Sequence, residues 1–245
     1  MLGTERRPDS FSLLVSVIDR PAMALAEIAA RPRWRWVLPV VLLVGAMVAS
    51  AVLTSPLTSE LAQRVTEQQL ATLPAEQAEL ARAQVARLQQ PSVMLAMSIG
   101  TGLLGLILSW LLASAILYFS VLIAGGDVNF NALFATLPWV WLPFALRDVV
   151  QTAYVLYRNA LIVNPGLSYF VSTGKPVQDA QNLLYTVLGH MDLFTLWHLG
   201  LVFALLWVLP RFSRGKAFLL TLLYAALSLG LRLLPTLLGR AFMPA

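Results

Sequence analysis

The sequence predicts an all-α, polytopic transmembrane helix bundle of about five spans, preceded by an amphipathic helix at the membrane interface. Three observations lead there. Hydrophobic residues fill 58% of the 245 positions and charged residues only 12%, whereas soluble domains carry about 25% charge. So few charges cannot cover a soluble core of this size, and lipid must supply the missing solvent. Several apolar runs are long enough to cross a hydrocarbon layer of roughly 30 Å. The net charge of +5 comes from Arg and Lys gathered beside these runs, the pattern of membrane topology rather than of a nucleic-acid surface. The chain contains no cysteine, which excludes disulfides, thiol nucleophiles and thiolate metal sites.

Before the first span, Phe11, Leu14, Val15, Ile18, Ala22, Leu25 and Ala29 recur at helical spacing, with Ser12, Asp19, Arg20 and Glu27 elsewhere on the wheel. This pattern predicts a helix lying on the membrane, capped by Asp9 or Ser10 and bent at Pro21. Packing of the same helix within the cytosolic part is the alternative. Arg31-Pro32-Arg33-Trp34-Arg35-Trp36 has the basic and aromatic character of an interface. The apolar run after it starts too far into the chain for a cleaved signal peptide and is expected to be retained as an anchor.

The first span is expected over Val37 to Leu53, followed by a hydrophilic insertion over 54–92 with a helix between Pro74 and Pro91, striped by Ala78, Ala81, Val85 and Leu88. The second runs from Val93 to Ala124 and closes at Gly125-Gly126-Asp127. The third, Ala132 to Tyr157, contains Pro138 and Pro143 and should be bent. A polar connection over 158–191 leads to a fourth span, Leu193 to Leu209, a basic turn from Arg211 to Lys216, and a fifth span from Ala217 to about Leu238. The chain thus divides into a cytoplasmic and interfacial segment, 1–36, and a transmembrane domain, 37–240. Six Arg precede the first span, and an odd number of crossings puts Arg211, Arg214 and Lys216 on their side. By the positive-inside rule the N-terminus is cytoplasmic and the C-terminus lies opposite, with the 54–92 insertion extracytoplasmic.

Ionisable groups at membrane depth are functional candidates by default. Arg147 and Asp148 stand in the third span, where adjacent helical positions point about 100° apart. They are therefore expected to pair with other spans, for instance with Asp192 or Arg232, unless they line a polar cavity or couple to a proton or ion. His190 and His198 lie eight apart, which is not the HExxH zinc spacing, and no carboxylate cluster completes a metal site. His198 instead suits an interhelical hydrogen bond. Gly100, Gly102, Gly105 and Ser109 give the second span a small-residue face that allows close helix packing, either within the chain or between copies in a homo-oligomer. No nucleophile elbow, phosphate loop or dinucleotide motif is present. No catalytic residue, cofactor or metal is expected, and an intramembrane enzyme built on Asp192 and His198 is the least supported class.

Two stretches carry a resemblance. Met191-Asp192-Leu193-Phe194-Thr195-Leu196-Trp197, an apolar span, and then Arg211-Phe212-Ser213-Arg214-Gly215-Lys216-Ala217 resemble the C-terminal pattern of the Yip family, the Ypt/Rab-interacting-protein domain, in its bacterial branch. Asp192, Phe194, Trp197, Ser213 and Lys216 are the motif positions. Glu27-Ile28-Ala29-Ala30-Arg31-Pro32-Arg33-Trp34 is similar to the family's lead-in to its first span, and Gly125-Gly126 to its turn after the second. Gly200 and His198 depart from the family's usual fourth span. The resemblance covers roughly residues 11 to 238 and implies a five-span bundle with a cytoplasmic N-terminus. Eukaryotic members are linked to vesicle traffic and small GTPases, and some bacterial members accompany export systems.

The expected function is a non-enzymatic accessory or scaffold of a bacterial inner membrane that organises lipids or membrane-protein partners, such as an export complex, and does not bind nucleic acid. The alternative is a small transporter or channel subunit with a polar path near Arg147 and Asp148.

Overall fold

The computed structural model describes residues 10–242, and among them the regular structure is entirely helical. The helices are α1 (Ser10–Asp19), α2 (Pro21–Ala30), α3 (Val37–Leu70), α4 (Ala75–Leu88), α5 (Pro91–Ile123), α6 (Phe130–Val140), α7 (Leu142–Arg158), α8 (Pro176–Gln181), α9 (Leu183–Gly189), α10 (Leu193–Val208) and α11 (Arg214–Phe242). Short 3-10 turns occupy Trp34–Trp36 and Gly166–Val171. Among the described residues, four helical stretches are long and apolar enough to cross a membrane: Trp34–Leu70, Pro91–Ile123, Phe130–Arg158 and Arg214–Leu234. A fifth follows if α9 and α10, bent by 68° at their junction, make one broken span. The chain is a polytopic α-helical membrane protein.

Its residues fall into two compact units. The first contains the described residues up to Leu43, Ser109–Phe144, and those from Asn164 onward; the second contains Val44–Leu108 and Ala145–Val163.

In the first unit α2 contacts α1 and packs on both α6 and α10, while α10 packs on α11. Leu25 and Ile28 of α2 are fully enclosed, as are Leu117 and Val121 of α5, Leu137, Trp139 and Val140 of α6, and Val202 and Leu205 of α10. The N-terminal segment divides at Arg20 because the residue before a proline is sterically driven out of helical geometry. The Asp9 cap lies outside the described residues. Leu13, Val17, Ala24, Leu25 and Ile28 form the buried side of this α1–α2 elbow, whereas Phe11, Val15, Ile18 and Met23 remain exposed. Of the seven positions on the apolar stripe read from the sequence, only Leu25 is buried. The elbow is apolar on two faces, and the spacing alone does not distinguish them.

Asn129 starts α6 by accepting a hydrogen bond from the Ala132 amide at 3.2 Å. The bend expected of the third span appears as a break at Trp141, whose amide reaches back to the Pro138 carbonyl at 3.3 Å, and α7 begins at Leu142. The boundary between the two units falls just after this break, between Phe144 and Ala145.

The second unit explains why the first span outlasts its apolar run. The run ends at Leu53, yet α3 continues to Leu70 through Pro56. Proline removes the amide that would bond the carbonyl four residues back, that of Val52. The Ser55 hydroxyl donates to this carbonyl at 2.8 Å, and Thr54 and Thr58 donate to the carbonyls of Ser50 and Thr54. The 54–92 insertion is therefore largely helical, consisting of the end of α3 and all of α4. These are tied together by Arg82 on Glu67 at 2.9 Å and by Gln89 Nε2 donating to Thr66 Oγ1 at 2.6 Å. At 1.5 Å per residue, α3 and α5 each span roughly 50 Å, well beyond the hydrocarbon thickness.

The connection between α7 and α9 has its own organising residue. Asp179 is buried, and its carboxylate accepts from the Thr173 amide and hydroxyl, both at 2.8 Å, and from Ser172 Oγ at 2.7 Å. The Thr173 amide, with both hydroxyls, holds the carboxyl below its usual pKa. A lowered folded-state pKa stabilises the fold above the unfolded value, about 3.9, and that stabilisation is lost as pH falls through the folded value. Asp179→Asn is expected to raise hydrogen exchange at the Thr173 amide at neutral pH, whereas the native chain reaches comparable exchange, after correction for intrinsic rates, only in acid below about pH 4.

Candidate functional site

Several of the residues singled out from the sequence gather in two places in the first unit. One is a joint of helix ends and the other a cavity beside α10.

The joint begins at Glu27 on α2. Its carboxylate accepts from Arg35 Nη2 at 3.0 Å and lies 3.7 Å from Arg31 Nη1, while Arg35 Nη1 donates to the Glu27 carbonyl at 3.1 Å. The Arg35 side chain is only 14% exposed. The Arg35 carbonyl in turn accepts from Trp139 Nε1 at 3.0 Å. One residue thus ties the end of α2 to the start of the first span and to α6. Arg31-Pro32-Arg33-Trp34-Arg35, read as an interfacial boundary, here also closes a structural clasp.

The second part of the joint is the turn from α5 to α6. Gly125 adopts φ 72°, its amide bonds the Leu122 carbonyl, and the Gly126 amide bonds the Val121 carbonyl, both at 2.9 Å. This is a Schellman stop, which needs a left-handed residue and therefore favours glycine. Gly126 is required for a different reason: a Cβ there would press into the Phe212 ring, with Cε1 at 2.7 Å. Lys216 Nζ donates to the Ala124 carbonyl at the end of α5 and lies 4.3 Å over the Phe212 ring. A cation at a helix C-terminus satisfies a carbonyl that has no intrahelical partner and meets the negative end of the helix dipole. Ser213 Oγ accepts from the Lys216 amide at 3.4 Å, and Arg214 lies 5.1 Å over Trp207. Lys216→Met keeps the apolar stem but removes the cap, and is expected to cost about 1 kcal/mol in an unfolding titration in mild detergent.

The cavity has a volume of about 400 Å³, within the usual range for ligand sites of roughly 300–1,000 Å³. Its wall is mostly apolar, with Phe144, Leu196, Leu199 and Leu229 among the lining residues, and Asp192, His198, Tyr224, Ser228 and Arg232 supply polar groups. Asp192 caps α10, its Oδ1 accepting from the Thr195 amide at 2.7 Å. His198 is 4% exposed; its Nδ1 is 2.8 Å from the Val140 carbonyl and its Nε2 is 3.2 Å from the Tyr224 hydroxyl. A carbonyl only accepts, so Nδ1 donates, and in the neutral ring Nε2 accepts from Tyr224. The histidine therefore joins α10, α6 and α11. Phe144 stands 4.8 Å from the His198 ring, and the Arg232 guanidinium 5.9 Å from the Phe144 ring. Phe194 and Trp197, the other motif positions on α10, are half-buried.

Arg147 and Asp148 belong to the second unit, Asp192 and Arg232 to the first. The expectation that these neighbours do not meet fails: Arg147 Nε lies 3.7 Å from Asp148 Oδ1. Adjacent helical Cα–Cβ vectors diverge, but the flexible arginine stem folds back across the gap. The small-residue face is also in the second unit up to Gly105. A Cβ on Gly102 would come within 2.8 Å of Met47 Sδ, whereas one on Gly100 or Gly105 would meet nothing within 4 Å, and Ser109 is exposed.

Tyr224, Phe144 and Ser228 escaped the sequence reading although they complete the cavity. Tyr224, Ser228 and Arg232 are spaced four apart on α11 and so share a face, a signal present in the sequence but indistinguishable there from ordinary span packing. The Glu27–Arg35 clasp, across an intervening proline, leaves no periodic trace.

No curated protein and no solved structure matches the chain. The Yip1 domain family matches it over residues 15–234, a stretch that takes in the clasp, the glycine turn, the cap of α10 and the Lys216 contact. The chain belongs to the Yip1 domain family and is an integral membrane protein.

Proposed function

We propose that the chain is a non-catalytic scaffold of a bacterial inner membrane, which gathers membrane-protein partners, such as subunits of an export complex, at its cytoplasmic face. The observation that carries this reading is the two-faced elbow. Its inner residues, with the Glu27–Arg35 clasp, hold it on α6 and α10, while Phe11, Val15 and Ile18 stay 71%, 63% and 67% exposed beside the Asp19–Arg20 ion pair. An exposed apolar row of this kind suits the apolar face of a partner helix. Purification of the full chain in nanodiscs, followed by native mass spectrometry, tests it. A protein partner that is lost on Val15→Glu with Ile18→Glu supports the scaffold, and monomers without any partner count against it.

The orientation in this proposal puts the elbow and the basic turn in the cytoplasm. Because the chain has no cysteine, single introduced thiols report topology cleanly. Gln77→Cys on α4 is expected to react with an impermeant maleimide on intact cells, and Arg33→Cys only after permeabilisation. A transport path at Arg147 and Asp148 is the competing reading; their contact within one helix supports a structural role for the pair instead.

A further inference from the structure

The cavity beside α10 lies where a lipid headgroup and its chain would meet. The apolar span Arg214–Leu234 begins at the basic turn and ends two residues after Arg232. At 1.5 Å per residue, Arg232 is roughly 27 Å from Arg214, close to the full hydrocarbon thickness. Asp192 immediately precedes the apolar helix α10, so Asp192 and Arg232 both sit at a membrane boundary. From Arg232 the cavity runs inward along α11 past Ser228 to Tyr224, a depth of roughly 12 Å. Leu193 and Leu196 on its wall are exposed, which opens it toward the surrounding apolar phase.

The charges on the rim are not equivalent. The Asp192 carboxylate caps α10 through the Thr195 amide, where the positive end of the helix compensates it. Arg232 carries five donors in a planar fork, a geometry that matches a phosphate while leaving donors for neighbouring groups. The deep end is closed by the His198–Tyr224 pair and the Phe144 ring, whose polar atoms are directed at one another and at Val140. An apolar slot with a guanidinium at its mouth suits an amphiphile with an anionic head.

We propose that this cavity holds one acyl chain of an anionic phospholipid from the surrounding bilayer, with its phosphate on Arg232. The inference goes beyond the scaffold reading and does not depend on it, because the lipid is read on the purified chain and the partner by co-purification. The test is reconstitution in nanodiscs of equimolar phosphatidylglycerol and phosphatidylcholine, followed by native mass spectrometry of the released protein. The chain is expected to retain one phosphatidylglycerol. Arg232→Gln, at an exposed position, is expected to reduce the preference for phosphatidylglycerol over phosphatidylcholine about tenfold, the scale of one charge-assisted hydrogen bond. Ala225→Trp fills the slot and is expected to abolish retention of either lipid, with circular dichroism confirming native helix content. Retention of no lipid, equal retention of both by the native chain, or an unchanged preference in Arg232→Gln overturns the proposal. The Arg232 result decides the matter alone if Ala225→Trp does not fold.

Discussion

Trp139→Ala is expected to lower the unfolding free energy by about 3–5 kcal/mol, the range for emptying a large aromatic site in a packed interior. Trp139 is fully enclosed in α6, and its indole nitrogen donates to the Arg35 carbonyl at 3.0 Å. Truncation therefore opens a void beside α6 and leaves a carbonyl at the base of the first span without its indole donor. In a membrane the gain from packing comes from dispersion rather than from exclusion of water, so the void carries most of the cost. Trp139→Phe separates the two contributions: it fills most of the site and loses the hydrogen bond, at about 1 kcal/mol. Thermal unfolding in mild detergent measures both, and a Trp139→Ala chain as stable as the native one would remove α6 from the centre of the first unit.

Gly166→Val should destabilise by about 3 kcal/mol, combining the strain of a β-branched residue in the left-handed region with overpacking. Gly166 has φ 57°, and a Cβ there would lie 2.7 Å from the Met191 carbonyl oxygen and 2.9 Å from that of Leu188. These are backbone atoms of the bend between α9 and α10, so they cannot yield as a side-chain tip would. The Leu167 amide donates to the same Met191 carbonyl at 3.1 Å, which fixes the loop on that bend. Because Leu167 and Met191 both line the cavity, the substitution should also reduce lipid retention, whereas Gly174→Ala, with φ 73° but open space around it, should show only the backbone strain.

The membrane spans were legible in outline because lipid imposes a length and a composition that few other environments do. The second span, expected from Val93 to Ala124, is α5 over Pro91–Ile123, and the fifth, expected from Ala217 to about Leu238, lies within α11 over Arg214–Phe242. The end of α3 was not legible, since hydropathy stops at Leu53 and helix continuation through Pro56 depends on hydroxyls bonding back to the preceding carbonyls. The elbow was half legible: its period is helical, but which apolar face turns inward is decided by α6 and α10, not by its own spacing. For the candidate site, Asp192, His198 and Arg232 line one cavity that runs inward from the membrane boundary. Arg147 and Asp148, grouped with them by the same criterion of intramembrane charge, belong to the other unit and meet each other. Depth can be read along one dimension of the sequence, whereas proximity between spans depends on rotation about each helix axis.

The family motif also acquires a physical content. Gly125 ends α5, Gly126 makes room for Phe212, Lys216 caps the Ala124 carbonyl, and Asp192 starts α10. Glu27 and Arg35 close the elbow onto this frame. These residues build a support, and what the support displays is the exposed row Phe11, Val15 and Ile18.

That display is the central claim, and native mass spectrometry of the full chain from nanodiscs tests it most directly, comparing the native sequence with Val15→Glu combined with Ile18→Glu. The account predicts that the native chain carries an integral membrane-protein partner and that the double variant loses it, with helix content and unfolding temperature unchanged. A native chain that appears only as a monomer, or a variant that keeps the same partner, would contradict it.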